Sequence, residues 1–381
     1  MKLEWRLKQV LEKNNLYKFG VESHIANDCG FHRHTVGKLL RNQVQSSKLE
    51  VLEKICGWLI EKGVPAETLP GALFGVRPSG LWQAMGHSKK ILIFLGEYHL
   101  KGRTITTPQA SPPVSISRHD SIVSSKIIHF LSTENELRDT RPSVKMLYVP
   151  FYFTPGVSDV RGDGLAGDKD RASRIFENMR KDKGTGRSTI LIGSQRVNYL
   201  VEYMVADLFN CEPFSPADNE PNVPFYLCYR KFDRLVPSCF GGEKNPSGGT
   251  GENCHGTYYL DKNFNWQFLE WQRRIADAGI VIITREADTV EMAAFGFSGR
   301  STNAIGNALL QKSEYFWPDN GNGENCTVVA GGKEIGVYIC QVEFCEQNTK
   351  SEDWAYENFE NDMVKIIPLN RKVLKKYLDK G

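Results

Sequence analysis

The sequence lacks the features that would tie it to a membrane or to an oxidising compartment. None of its 381 residues fall in an apolar run of 18, the minimum for a bilayer-crossing helix. The chain starts with a polar amphipathic segment, not a signal peptide, so no membrane partner and a cytoplasmic location are expected. Its nine cysteines, an odd number, include no Cys-x-x-Cys pair, which argues against a disulfide framework. Cys29, Cys56, Cys228 and Cys340 sit in apolar or helical runs and read as small buried hydrophobes. Cys239, Cys254 and His255 are too scattered for a metal site, and the aspartates at 159, 163, 168 and 170 lack the alternation of a calcium loop. The glycine-bearing junctions at residues 190–198 and 293–303 match neither a P-loop nor a Gly-x-Gly-x-x-Gly turn, and no cofactor is expected.

Net charge is scarce too, at +3, and it is unevenly placed. Residues 1–75 hold 11 basic and 8 acidic residues, a balance of +3; the remainder holds 37 of each. All of the net positive charge therefore sits in the first fifth of the chain.

That fifth carries the most specific pattern in the chain, at residues 22–41. Ala26 is a small residue where two short helices would touch. Gly30 follows at the offset of a turn that needs positive φ, and Ile25, Val36 and Leu39 fall on faces that would bury. This leaves His32, Arg33, His34, Thr35, Lys38 and Arg41 on the outer face, a donor set suited to phosphates and base edges. Apolar spacing predicts a preceding helix over residues 5–16. Ser47-x-x-Glu50 reads as a capping box opening a helix that Gly63 and Pro65 end. Over residues 3–75 the pattern resembles the Cro/CI-like (XRE) helix-turn-helix family. The resemblance implies an all-α DNA-binding domain (residues 1–75) and double-stranded DNA as partner. Three net charges are few for one such domain, so a homodimer is expected.

Residues 76–90, with Pro78, Gly80 and Gly86, read as a linker or hinge whose Leu81, Trp82 and Met85 dock on a domain. From residue 91 onward, strand and helix patterns alternate, predicting an α/β domain with a mostly parallel sheet. Strands are expected at 91–95, 146–153, 189–192, 223–229, 280–284 and 335–342. Helices are expected at 122–131, 171–180, 197–209, 264–278 and 302–311, with exposed loops at 237–256 and 319–325.

Open α/β sheets bind ligands beyond the carboxyl ends of their strands. Two strand-to-helix junctions fit that position. At one, Gly193 allows a sharp turn before Ser194, Arg196 and Asn198; at the other, Arg300, Ser301 and Thr302 open a helix. These six residues are the candidate site for a small anionic or nucleotide-like ligand, against ordinary capped turns. Asp120, in Arg118-His119-Asp120, reads as a helix N-cap, with acid–base chemistry the competing reading. Glu286, Asp288 and Glu291 read as a solvated loop. No catalytic constellation is complete. The sequence therefore favours a transcriptional regulator whose α/β domain senses a ligand or builds the oligomer. A nucleotide- or nucleoside-processing enzyme carrying a DNA-binding module, and a protein-binding scaffold, are the alternatives.

Overall fold

A computed structural model describes residues 2–5, 7–18, 20–40, 49–66, 69, 73–77, 80–100, 114–133, 142–153, 163–181, 186–215, 221–229, 237–286, 289–316, 327–345 and 362–379. The chain divides into two compact units, Met1–Ser79 and Gly80–Gly381.

The first unit contains α1 (Leu7–Lys13), α2 (Val21–Cys29), α3 (Arg33–Leu40) and α4 (Leu49–Glu61). They share one core, in which Leu7, Leu11, Ile25, Val36, Leu39, Ile55 and Leu59 are buried. Helix α2 stops at Gly30, whose left-handed φ of 70° lets the Phe31 N–H turn back to Ala26 O at 2.8 Å. The unit is not all-α as expected. β1 (Lys2–Trp5) pairs antiparallel with β2 (Phe74–Arg77), so Trp5 belongs to a strand and the first helix begins at Leu7. A partner strand some 70 residues downstream is invisible to local periodicity. Ser47 lies outside the described residues.

The second unit begins at Gly80, eleven residues before the expected domain start at residue 91. Residues 80–90 are not a free linker: α5 (Leu81–Gly86) buries Leu81, Trp82 and Met85, and Trp82 Nε1 donates to Leu309 O at 2.8 Å. The remaining helices are α6 (Arg118–Thr133), α7 (Asp163–Lys181), α8 (Tyr199–Phe209), α9 (Gly299–Gln311) and α10 (Arg371–Leu378).

The main sheet joins β3 (Lys90–Leu100), β4 (Val114–Ile116), β5 (Ser143–Phe153), β6 (Arg187–Ile192), β11 (Ala276–Glu286), β12 (Thr289–Gly296), β13 (Val328–Ala330), β14 (Lys333–Glu343) and β15 (Met363–Pro368). Parallel pairing links β5 to β3, β3 to β6 and β6 to β12. The other five pairings are antiparallel, so among the described residues the sheet is mixed, not mostly parallel. Chain length decides this: two residues separate β11 from β12, and a parallel return needs a crossover of a dozen or more.

Side chains alternate across the sheet. Ile91, Ile93 and Leu95 of β3 pack with α5, α6 and α9, whereas Leu92 and Phe94 pack with α7 and α8 on the other face. A second sheet of β7 (Phe225–Cys228), β8 (Gly241–Gly242), β9 (Gly256–Leu260) and β10 (Trp266–Glu270) joins the latter core. It overturns the helix expected over 264–278. Asp261 Oδ1 accepts from the Asn263 and Asn265 N–H groups and closes a hairpin that brings Tyr258 against Phe268, 4.5 Å between ring centres. Phe264, Phe268, Trp271 and Ile275 mimic a helical stripe by accident of spacing. The expected loop at 237–256 is also partly internal, since Ser238, Cys239, Phe240 and Gly241 are buried. No helix of the described residues is long and apolar enough to cross a membrane.

Candidate functional site

In the first unit, the fold sorts α3 into two sides. Val36, Gly37, Leu39 and Leu40 are buried, while His32, Arg33, His34 and Lys38 are exposed and Thr35 is half-buried. The His32 carbonyl accepts from the N–H groups of Thr35 and Val36, which fixes the helix start. Arg33 Nε lies 3.6 Å from Glu22 on α2, with the arginine 71% exposed. An exposed pair of that kind contributes little and is easily exchanged for a phosphate. Arg41 lies outside the described residues.

In the second unit, β6 and β12 are parallel neighbours with Ile192 opposite Ala294, and the Gly193 N–H donates to Ala294 O at 3.2 Å. The two candidate loops therefore leave the same edge of the sheet, side by side. The chain then turns tightly at Gly193 (φ +97°) and passes over the end of β3. A methyl group on Gly96 would overlap Val197 O at 1.6 Å, so only glycine admits the turn there.

Most of the candidate side chains at this edge are occupied in building it. Asn198 caps α8 through the Leu200 N–H, and its Nδ2 donates to Phe94 O and Ile192 O at 3.0 Å each, tying β3 to β6. Ser301 Oγ donates to Ser298 O and Thr302 Oγ1 accepts from the Gly296 N–H, both within the cap of α9. Arg300 holds Asp362 with two hydrogen bonds of 2.9 and 2.7 Å and lies over Phe344. Ser194 is buried in the turn and Arg196 is half-buried, its guanidinium 4.7 Å from the centre of the Tyr229 ring. Tyr229 in turn stacks on Phe297 at 4.8 Å.

Sequence reasoning named His119 and Asp120 without placing them between the two loops, and did not name Asp277. Asp120 is not the N-cap of α6 but its third residue; its N–H points to Ser117 Oγ at 3.4 Å. Its carboxyl lies against the Gly193 turn, where a methyl on that glycine would come within 2.8 Å of Oδ2. Burial pushes the Asp120 pKa up to about 7, opposed by a hydrogen bond from Ser117. His119 reaches the other loop, where a methyl on Gly299 would lie 2.7 Å from its Cδ2. Burial, then the charges of Arg118 and Arg300, lower the His119 pKa to about 4 and keep it neutral. Asp277 of β11 accepts from Ser298 Oγ and the Ala278 N–H, and burial raises its pKa to about 6. The Ser117-x-x-Asp120 spacing was the one available signal that Asp120 points inward from a first turn. Nothing local marked Asp277.

Glu291 is not in a solvated loop: it receives both hydrogen bonds of Arg180 Nη1, at 2.8 and 3.0 Å. Asp288 and Asp159 lie outside the described residues, and Asp163 and Asp168 are helical in α7. Among the described residues, no group of three or more His, Cys, Asp or Glu side chains is placed to hold a metal. No protein family, curated protein or solved structure matches this chain.

Proposed function

We propose that this chain is a sequence-specific regulator that binds double-stranded DNA as a homodimer, and that its second unit senses a small anionic or nucleotide-like ligand. The observation that carries the reading is the two-sided α3, with His32, Arg33, His34 and Lys38 exposed over a buried row of Val36 and Leu39. A helix seated in a major groove needs one face fixed to its own domain and another lined with donors. Helix α2 and the Gly30 turn supply the support, and the net positive charge of the chain falls in the same segment. Binding selection from random duplexes with the full chain tests it. An enriched sequence is expected, an inverted repeat if the dimer is right. Arg33→Ala should relax the preference, a base-reading arginine being worth about 1–3 kcal/mol of discrimination. No enriched sequence would refute the reading, and a monomer on DNA by sedimentation would refute the dimer.

One observation favours a second reading. The Asp120 carboxyl, with a pKa near 7 beside a helix start, has the poise of a general acid or base, as in a nucleotide-processing enzyme that carries a DNA-binding module. Turnover of nucleotides by the full chain, abolished in Asp120→Asn, separates the two.

A further inference from the structure

Of the carboxyl side chains buried around the carboxyl edge of the sheet, Asp362 (held by Arg300), Glu202 and Asp277 are provided for, and Asp120 is not. Glu202, in the first turn of α8, accepts from the Phe214 N–H, Ser238 Oγ and the Cys239 N–H at 2.7–2.8 Å. Asp277 accepts from Ser298 Oγ and the Ala278 N–H. Asp120 is as deeply buried, 2% exposed, yet its Oδ2 has no hydrogen-bond partner among the described residues. That oxygen faces the Gly193 turn. In the same turn, Gln195 is buried with Nε2 donating to the Tyr229 hydroxyl at 3.2 Å, while its Oε1 accepts nothing from the described residues. Buried polar atoms normally find partners, and two unmet acceptors, one on this turn and one on α6 facing it, call for a ligand with hydroxyl or amino donors.

The turn also offers donors. Its internal hydrogen bonds start at Val197 and Asn198, whose N–H groups go to Ser194 O; those of Ser194, Gln195 and Arg196 donate to no described residue. Three successive N–H groups after a left-handed glycine, in the turn that precedes α8, suit a phosphate. Arg196 puts positive charge at the same place, and the Tyr229–Phe297 stack beneath it walls the turn.

We propose that the first turn of α6 and the 193–198 turn together bind a phosphorylated sugar, the class to which nucleotides belong. The phosphate rests on the N–H groups of Ser194, Gln195 and Arg196, and a ring hydroxyl donates to Asp120 Oδ2. This deepens the ligand-sensing half of the function proposed above and rests on it. Asp120 is the group that distinguishes a sugar phosphate from a bare anion.

Calorimetry on the full chain tests the inference with three probes: ribose 5-phosphate, inorganic phosphate, and tetrahydrofurfuryl phosphate, which keeps the ring and phosphate but has no ring hydroxyl. Ribose 5-phosphate should bind at least tenfold more tightly than either of the others. In Asp120→Asn that preference should fall to within about threefold, with inorganic phosphate affinity unchanged. The wild-type comparison of ribose and tetrahydrofurfuryl phosphates stands even where the variant fails to fold. Equal binding of all three probes would mean an adventitious anion only and overturn the proposal. Loss of discrimination with continued binding of phosphate or malonate would leave anion sensing standing while this inference falls. Binding of no anion would remove both, and the DNA selection would still be decided by its own result.

Discussion

The exposed face of α3 and the carboxyl edge of β6 and β12 were built from similar residues, and the fold treats them in opposite ways. On α3, the basic and polar side chains stay outside, Arg33 beside Glu22 of α2, while the buried side of the helix rests on apolar contacts. At the sheet edge, Asn198, Arg300, Ser301 and Thr302 are drawn inward to cap helices, join strands and hold Asp362. A donor-rich motif on a short surface helix has no internal acceptors to satisfy. The same chemistry where β3, β6 and β12 end and α8 and α9 begin is surrounded by carbonyl and carboxyl groups that must be paired. The contrast predicts that variants at the edge show themselves in stability and variants on α3 in binding.

The largest loss is expected from Arg300→Ala, because the Asp362 side chain is fully buried and, among the described residues, would keep the Cys345 N–H, 2.9 Å from its Oδ1, in place of the guanidinium. Stranding a buried charge in this way costs about 3–5 kcal/mol, read as a lowered urea midpoint. Arg300→Lys should recover little, since one ammonium cannot replace the two-bond fork.

Asp120 gives the pH dependence. Its native pKa is raised to about 7, so between pH 4 and 7 the folded state holds a proton that the unfolded chain has released. Stability should therefore fall as pH rises through that window, by roughly 3–4 kcal/mol for a three-step shift. Asp120→Asn should flatten the curve and leave a protein more stable than wild type at pH 8. Asp277, raised to about 6, gives a smaller trend of the same sign. A denaturation series at several pH values checks both. A curve that is equally steep in Asp120→Asn would assign the slope to other groups.

Asn198→Ala removes a cap and leaves the Phe94 and Ile192 carbonyls without their shared donor. A cost of about 2–3 kcal/mol follows, with Asn198→Asp failing to restore it because a carboxylate cannot donate to either carbonyl. At the small end, Lys38→Ala should change the melting midpoint by no more than about 0.5 kcal/mol in free energy. It should weaken binding to all duplexes alike and flatten the salt dependence. If Lys38→Ala instead unfolded the unit, the contrast between the two regions would fail.

How far the sequence could be read follows from how local each decision is. The buried positions of α2 and α3 were legible because Ile25, Ala26, Val36 and Leu39 repeat at helical spacing, and Gly30 announces its own φ. The strands at 91–95 and 189–192 were legible as short apolar runs, buried on both faces as read. The candidate loops were placed on one edge by the parallel pairing of β6 and β12, which no spacing revealed. Asp120 was named as a residue of interest, but its role was misread because capping geometry depends on where the helix starts, here one turn earlier at Ser117.

The sequence by itself determined the helical and strand periods, the turn at Gly30 and the concentration of charge in the first 75 residues. These depend on neighbours within about four positions, where backbone geometry repeats. Tertiary structure decided the antiparallel half of the sheet, the strand pair enclosing the first unit, and which donors remain available. Those depend on partners far along the chain: Asn198 meets Phe94 across 104 residues, and Arg300 meets Asp362 across 62. A hydrogen-bonding group shows its chemistry in the sequence, but whether an internal partner takes it up is settled only when distant segments meet.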